Sequence, residues 1–109
     1  MKACKDELQE RLHFIDRTIN HAVCACRDCA SVPHELRQCV DQMEHRARQA
    51  RRALQTRDVR GMRETVDALA RLSHRAQGKI HFSDGMAYAV KSAVILAHIE
   101  VAALRWQLG

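Results

Sequence analysis

The chain of 109 residues is 47% hydrophobic and 28% charged, and its formal net charge is +5. This length predicts one domain, residues 1–109, and the composition is that of an ordinary globular protein. Four glycines, one proline and 4% aromatic residues exclude a sheet-rich chain and favour helix throughout. The first residues, MKACKDELQERL, lack the apolar core and small-residue cleavage site of a signal peptide, which predicts a cytoplasmic protein with reduced thiols.

Apolar residues that recur every three or four positions predict four helices in chain order. Their approximate ranges are 3–27, 33–55, 59–77 and 84–107. Four helices of this length with short connections predict an all-α, up-down antiparallel four-helix bundle. Residues that start or stop helices separate the ranges. They are Ser31 as the N-cap and Pro33 in the first turn of the second helix, Thr56 or Asp58 as the cap of the third, Gly78 after the third, and Ser83 or Asp84 before the fourth.

The last predicted helix is apolar on more than one face. Beside its core-facing stripe it carries Leu96, Ile99 and Trp106 on a neighbouring face. A helix that is apolar nearly all round is buried on most sides, yet a small four-helix bundle has no fully central helix. We therefore predict a homodimer with this helix at the interface. Lys91 and Glu100 interrupt the apolar span, which argues against insertion into a membrane.

Four of the five cysteines and two of the seven histidines lie between Asn20 and Cys39. Thiolates and imidazoles are ligands of zinc and copper, so this stretch predicts a transition-metal site at the hairpin between the first two helices. The candidate ligands are Cys24, Cys26, Cys29, Cys39, His21 and His34. Two alternatives stay open. The thiols are ordinary buried residues, or Cys39 forms a disulfide with Cys26 or Cys29 in an oxidising compartment.

Helix geometry sets a condition on the predicted metal site. At 100° per residue, Cys24 and Cys26 lie about 200° apart on a continuous helix and point in nearly opposite directions. The thiols converge only if the first helix ends near Cys26 and the chain folds back towards Pro33. Cys39 then lies within about one turn of Cys26.

The excess positive charge lies between Arg37 and Arg75, where there are ten arginines and five acidic residues. An arginine stripe of this kind neutralises the phosphates of nucleic acid or binds an acidic protein partner. The simpler interpretation is a solvated helix face, because arginine is a good helix former. The candidate binding residues are Arg37, Arg48, Arg51, Arg52, Arg57 and Arg60.

No glycine-rich nucleotide loop, nucleophile elbow, His-Glu-x-x-His or paired-carboxylate motif occurs in the sequence. We therefore predict a small non-enzymatic binding or regulatory protein.

One pattern is similar to histidine phosphotransfer domains: His74 on the polar face of the third helix, with Asp67 and Arg71, and Gly78 one turn later. The resemblance implies that His74 accepts a phosphoryl group. Such domains place a lysine before the glycine, where this chain has Gln77, and their helix continues past the glycine, where Gly78 predicts a helix end.

Overall fold

The computed structural model describes residues 5–80 and 87–108. Within these residues there is no strand, and the chain forms four helices: α1 (Lys5–Asp28), α2 (His34–Gln55), α3 (Val59–Ile80) and α4 (Tyr88–Leu108). Each helix packs against the next one along the chain, and α4 packs back against α1. The predicted all-α four-helix bundle is confirmed.

Neighbouring helices run antiparallel. Between α3 and α4, Asp67 pairs with Arg105 and Ser73 with His98, so the residue number rises along one helix as it falls along the other. At least one polar contact joins every pair of neighbouring helices. Together with the apolar core, these contacts fix the register of each helix against its neighbours. The contacts for the other three pairs are Asp16–Arg51, Glu35–Lys79 and Thr18–Glu100.

The core contains the apolar residues that the three- and four-residue spacing predicts. Leu12 and Ile15 of α1, Leu36 of α2, Val66 of α3 and Val101 of α4 are each at most 1% exposed. Burying a side chain of this size stabilises the folded state by roughly 1.5–3 kcal/mol. The same spacing therefore explains both why the segments are helical and why they associate.

The end of α3 differs from its prediction. α3 continues through Gly78 to Ile80, so the predicted helix stop at Gly78 is wrong. Ile80 is buried, and Lys79 pairs with Glu35 of α2. These contacts outweigh the roughly 0.5–1 kcal/mol by which glycine disfavours a helix interior. The predicted start of the fourth helix at Ser83 or Asp84 lies outside the described residues.

The connection between α2 and α3 is closed by backbone hydrogen bonds. The N–H of Arg57 donates to the carbonyl of Leu54, and the N–H of Asp58 donates to the carbonyl of Ala53, which is the Schellman pattern of a helix C-terminus. Arg57 adopts a φ of 57°, in the left-handed region. The Asp58 carboxylate then accepts the backbone N–H of Gly61 at 2.9 Å. Asp58 therefore caps α3. Of the two predicted caps, Thr56 and Asp58, the structure has Asp58.

Candidate functional site

The hairpin between α1 and α2 does not fulfil the geometric condition for the metal site. α1 continues without a break to Asp28, past the point near Cys26 where the predicted site requires it to end. Cys24 is therefore exposed and Cys26 is buried, as expected for two residues on opposite sides of one helix. The thiol of Cys24 points away from the hairpin interior.

The other predicted ligands are also spread over different environments. Cys29 is half-buried in the turn, Cys39 is buried on α2, and His21 and His34 are exposed. Within residues 5–80 and 87–108, no three His, Cys, Asp or Glu side chains are placed to hold a metal ion together. The four cysteines in this part of the chain are free thiols. The arrangement of these side chains does not support a zinc or copper site. Metal binding at the hairpin stays a prediction, which elemental analysis tests.

The start of α2 differs from its predicted form. Pro33 is the N-cap residue, not a residue of the first turn, and it provides no side-chain cap. Ser31 is not the cap either, and its hydroxyl lies 3.1 Å from Sγ of Cys29. Arg37 donates from Nη2 to the carbonyl oxygen of Cys29 at 2.7 Å. The turn is thus held by contacts to Cys29, which accounts for the loss of the expected serine cap.

Two thiols of the hairpin differ in acidity. Burial raises the pKa of Cys26, and the nearby Arg37 guanidinium only partly offsets that effect. The Ser31 hydroxyl lowers the pKa of Cys29 by hydrogen bonding to its thiolate, helped by the backbone N–H groups of Ala87 and Ser31. Since the thiolate is the nucleophilic form, Cys29 is the more reactive thiol of these two.

The six predicted binding arginines do not form one uninterrupted cationic surface. Arg37 is half-buried against the Cys29 carbonyl, and Arg48 and Arg51 pair with Glu44 and Asp16. Arg60 is exposed and lies 3.8 Å from Glu64. The other two, Arg52 and Arg57, are exposed and have no ion pair with any described residue.

A groove of about 1330 Å³ lies between α3 and α4. Val66, Ala70 and Ser73 line it together with the ring of His98, and charged side chains and Trp106 form its rim. The charged residues of the rim are Arg63, Asp67, Arg71, Arg75 and Arg105. We define these residues, together with His74, as the α3–α4 groove. The sequence interpretation missed it, because the groove also needs His98, Arg105 and Trp106 of α4, which only the fold places beside α3.

The two histidines of the α3–α4 groove are neighbours. The ring centroids of His74 and His98 are 5.8 Å apart, and Ser73 lies 3.0 Å from Nδ1 of His98. His74 is exposed, and the continuation of α3 past Gly78 removes one difference from histidine phosphotransfer domains. Gln77 remains where those domains have a lysine.

The solvent-facing side of α4 is apolar. In the described part of the chain, seven large apolar side chains are exposed, and five of them belong to α4. These five are Tyr88, Ile95, Leu96, Ile99 and Trp106. We call them, together with the small residues Ser92 and Ala102 between them, the outward face of α4. Nevertheless, none of the helices described, α4 included, is both long enough and apolar enough to cross a membrane.

The fold and these surfaces define a small helical bundle with one apolar face and one cationic groove. Comparisons with protein-family models, with curated proteins and with solved structures found no match to this chain.

Proposed function

We propose that the protein is a non-enzymatic binding module that acts as a homodimer, with its two copies joined through the outward face of α4. The observation that carries this proposal is the concentration of exposed apolar side chains on one helix. Tyr88 is 82% exposed, Trp106 77% and Ile99 58%. Apolar surface of this kind in one continuous stripe is typical of a protein–protein contact.

The arrangement of the stripe favours a second copy of the same chain as the partner. Six positions follow one another at intervals of four, three, four, three and four residues, and the first and last are 18 residues apart, which is five helical turns. The order is aromatic, small, isoleucine, isoleucine, small, aromatic from either end. The six are Tyr88, Ser92, Ile95, Ile99, Ala102 and Trp106.

This symmetry makes the face complementary to itself. An antiparallel second copy pairs Tyr88 with Trp106 and Ile95 with Ile99, and each pair occurs twice across a two-fold axis. Such an isologous contact closes on itself and does not extend into a filament. The small residues between the aromatic and aliphatic side chains allow the two helices to approach closely.

The size and charge of the face also suit a dimer. The stripe is about 27 Å long, and each aromatic side chain contributes roughly 150–250 Å². Together with the aliphatic residues this approaches the ~800 Å² that each partner buries in a standard interface. Two of the three charged residues of α4 are already engaged, because Glu100 accepts from Thr18 and Arg105 pairs with Asp67. The third, Lys91, lies beside Ser92 at the edge of the face.

The experiment is a measurement of molar mass by sedimentation equilibrium, on the wild type and on two variants. Ile99→Glu places like charges near the two-fold axis, and we expect its dimer dissociation constant to rise about a hundredfold or more. Val59→Glu is the matched control, because Val59 is an exposed apolar residue, 65% accessible, at the start of α3. Circular dichroism verifies that both variants keep their helix content. A monomeric wild type, or an Ile99→Glu variant that dimerises like the wild type, contradicts the proposal.

A second candidate function is the binding of nucleic acid or an acidic protein by arginines near the α2–α3 connection. Arg52 and Arg57 favour it because both are exposed and have no ion pair with the residues described, and Arg60 beside them is 91% exposed. We expect replacement of all three by glutamine to weaken retention on immobilised DNA. The slope of log retention against log salt concentration should become shallower by about three, one for each lost phosphate contact. The control is a triple glutamine variant of the α1 arginines, residues 11, 17 and 27. Equal losses in the two triple variants indicate an effect of net charge alone and contradict this function.

A further inference from the structure

The α3–α4 groove carries more positive charge than its own residues neutralise. Four arginines and one acidic residue surround it, and that acid, Asp67, accepts from Nε of Arg105 at 2.9 Å. Arg63, Arg71 and Arg75 have no hydrogen-bond or ion-pair partner among the residues that the structure describes. Three guanidinium groups of α3 that have no partner among the described residues therefore line one concave volume.

The guanidinium groups determine which ligand chemistry the groove accepts. Each guanidinium presents five N–H donors in a planar fork and accepts no hydrogen bond. A ligand that satisfies several of them within one groove must carry many acceptor oxygens and several negative charges close together. Phosphate groups provide three strong acceptor oxygens each and match the fork in a bidentate manner.

The size of the groove indicates a ligand with more than one phosphate. Its volume of about 1330 Å³ exceeds the roughly 300–1,000 Å³ of ordinary small-molecule sites. Arg63 and Arg75 are 12 residues apart on α3, which corresponds to about 18 Å along the helix axis. One phosphate cannot reach both ends of that distance, whereas a chain of phosphates contacts several guanidinium groups at once.

We propose that the α3–α4 groove binds a chain of phosphate groups, as carried by inorganic polyphosphate or by a nucleoside polyphosphate. The unpaired arginines of α3 hold the phosphates. Trp106, at the rim of the groove, provides an apolar surface beside them. This site is separate from the arginines near the α2–α3 connection. Its phosphate-binding arginines lie on α3, outside the outward face of α4, and Trp106 belongs to both surfaces.

The experiment uses sodium tripolyphosphate as the probe and isothermal titration calorimetry as the measurement. Trp106 is the single tryptophan of the chain, and its fluorescence reports occupancy of the groove when it is recorded in the Ile99→Glu variant, which removes the contribution of dimerisation. The groove variant replaces Arg71 and Arg75 by glutamine. The control variant replaces Arg17 and Arg27, which are exposed on α1, and removes the same charge elsewhere.

We expect one tripolyphosphate per chain and a change in Trp106 fluorescence on binding. The dissociation constant should rise about tenfold or more in the groove variant, because charge-assisted hydrogen bonds are lost, and less than about twofold in the control. The Ile99→Glu variant should bind like the wild type, which distinguishes a failure of this site from a failure of the homodimer. Absence of binding, or equal weakening in both double-arginine variants, overturns the proposal.

Two further titrations identify the source of the phosphates and exclude other anions. Tighter binding of adenosine triphosphate than of tripolyphosphate supports a nucleoside polyphosphate, and equal binding supports inorganic polyphosphate. Oligoglutamate and a single-stranded oligonucleotide are the competitors of other chemical classes. If either one binds in the groove and tripolyphosphate does not displace it, the phosphate-chain proposal is wrong.

Discussion

The hydroxyl oxygen of Ser73 lies 3.0 Å from Nδ1 of His98 and joins α3 to α4. Ser73 is the one fully buried polar residue in the described part of the chain. Its hydroxyl donates to the carbonyl oxygen of Ala70 at 2.9 Å. The hydroxyl has a single proton, and its hydrogen bond to Ala70 is compatible with the tautomer of neutral His98 that donates from Nδ1–H to Ser73.

The environment of His98 predicts a pH dependence of stability. Burial lowers the pKa of His98, and the charge of the neighbouring His74 lowers it further. In the unfolded chain a histidine titrates near pH 6.5, so below that pH the unfolded state binds the proton more readily than the folded state. The stability contribution of neutral His98 is therefore complete above about pH 6.5 and is lost as the pH falls through the lowered folded-state pKa.

Proton NMR of the histidine rings measures this effect directly. We expect the pKa of His98 to lie below its ordinary value in the wild type and to rise in His74→Gln, which removes the neighbouring charge. We also expect the melting temperature of His98→Gln to fall less than that of the wild type between about pH 7 and pH 5. A His98 pKa at or above the ordinary value in the wild type contradicts the prediction.

The backbone of Arg57 predicts a stabilising substitution. Its φ of 57° costs a residue with a side chain about 1 kcal/mol, whereas glycine adopts this conformation without strain. We expect Arg57→Gly to increase the free energy of unfolding by up to about 1 kcal/mol, measured by urea denaturation. Arg57→Val should decrease it, because a β-branched residue tolerates this region least. Thr56→Gly, at the neighbouring position, is the control. Thr56 has a φ of −90°, so glycine relieves no backbone strain there. Lower stability of Arg57→Gly than of Thr56→Gly argues against strain at Arg57.

The two helical glycines of α3 predict opposite responses to alanine. A Cβ added to Gly78 meets no atom within 4 Å, so Gly78→Ala should stabilise the protein by about 0.5–1 kcal/mol through helix propensity. A Cβ added to Gly61 collides with Oδ2 of Asp58, the carboxylate that caps α3. Gly61→Ala displaces this cap, whose loss costs about 1 kcal/mol, and we expect no net stabilisation. Thermal unfolding of both variants tests the prediction, and equal stabilisation by both substitutions would falsify it.

The parts of the fold that follow from local spacing were predictable from the sequence. The core stripes, including Leu12 and Ile15, follow from three- and four-residue periodicity, and Asp58 as a cap follows from its residue type and position. The same helix geometry shows why Cys24 and Cys26 point apart once α1 continues past them. These features depend on a single helix, so no knowledge of neighbouring elements is needed.

The features that the sequence did not predict depend on contacts between helices. The length of α3 is determined by the burial of Ile80 and by the Glu35–Lys79 pair, neither of which is visible in the local sequence around Gly78. The α3–α4 groove requires the register that brings Asp67 beside Arg105. Local patterns carry no information on that register, and the groove was missed for this reason.

The hairpin cysteines predict a graded reactivity. Cys24 is exposed and Cys29 is half-buried with a lowered pKa, because the Ser31 hydroxyl and nearby backbone N–H groups stabilise its thiolate. Cys26 and Cys39 are buried, and burial raises the pKa of Cys26. We expect iodoacetamide to modify Cys24 and Cys29 in the native protein and to reach Cys26 and Cys39 only as it unfolds.

Mass spectrometry of peptides after timed alkylation measures the order of modification. Ser31→Ala removes the first cause of the lowered pKa, so we expect slower alkylation of Cys29 near neutral pH in that variant, with Cys24 as the internal control. Untreated samples of the same preparations test the metal hypothesis by elemental analysis. Because no ligand group is assembled among the described residues, we expect less than one zinc or copper per chain. The contradicting result is one bound metal per chain, with Cys24 and Cys29 protected from alkylation until a chelator is added. That result would establish the thiolate site. It would also require α1 to end earlier, because Cys24 cannot join Cys26 and Cys29 on an unbroken helix.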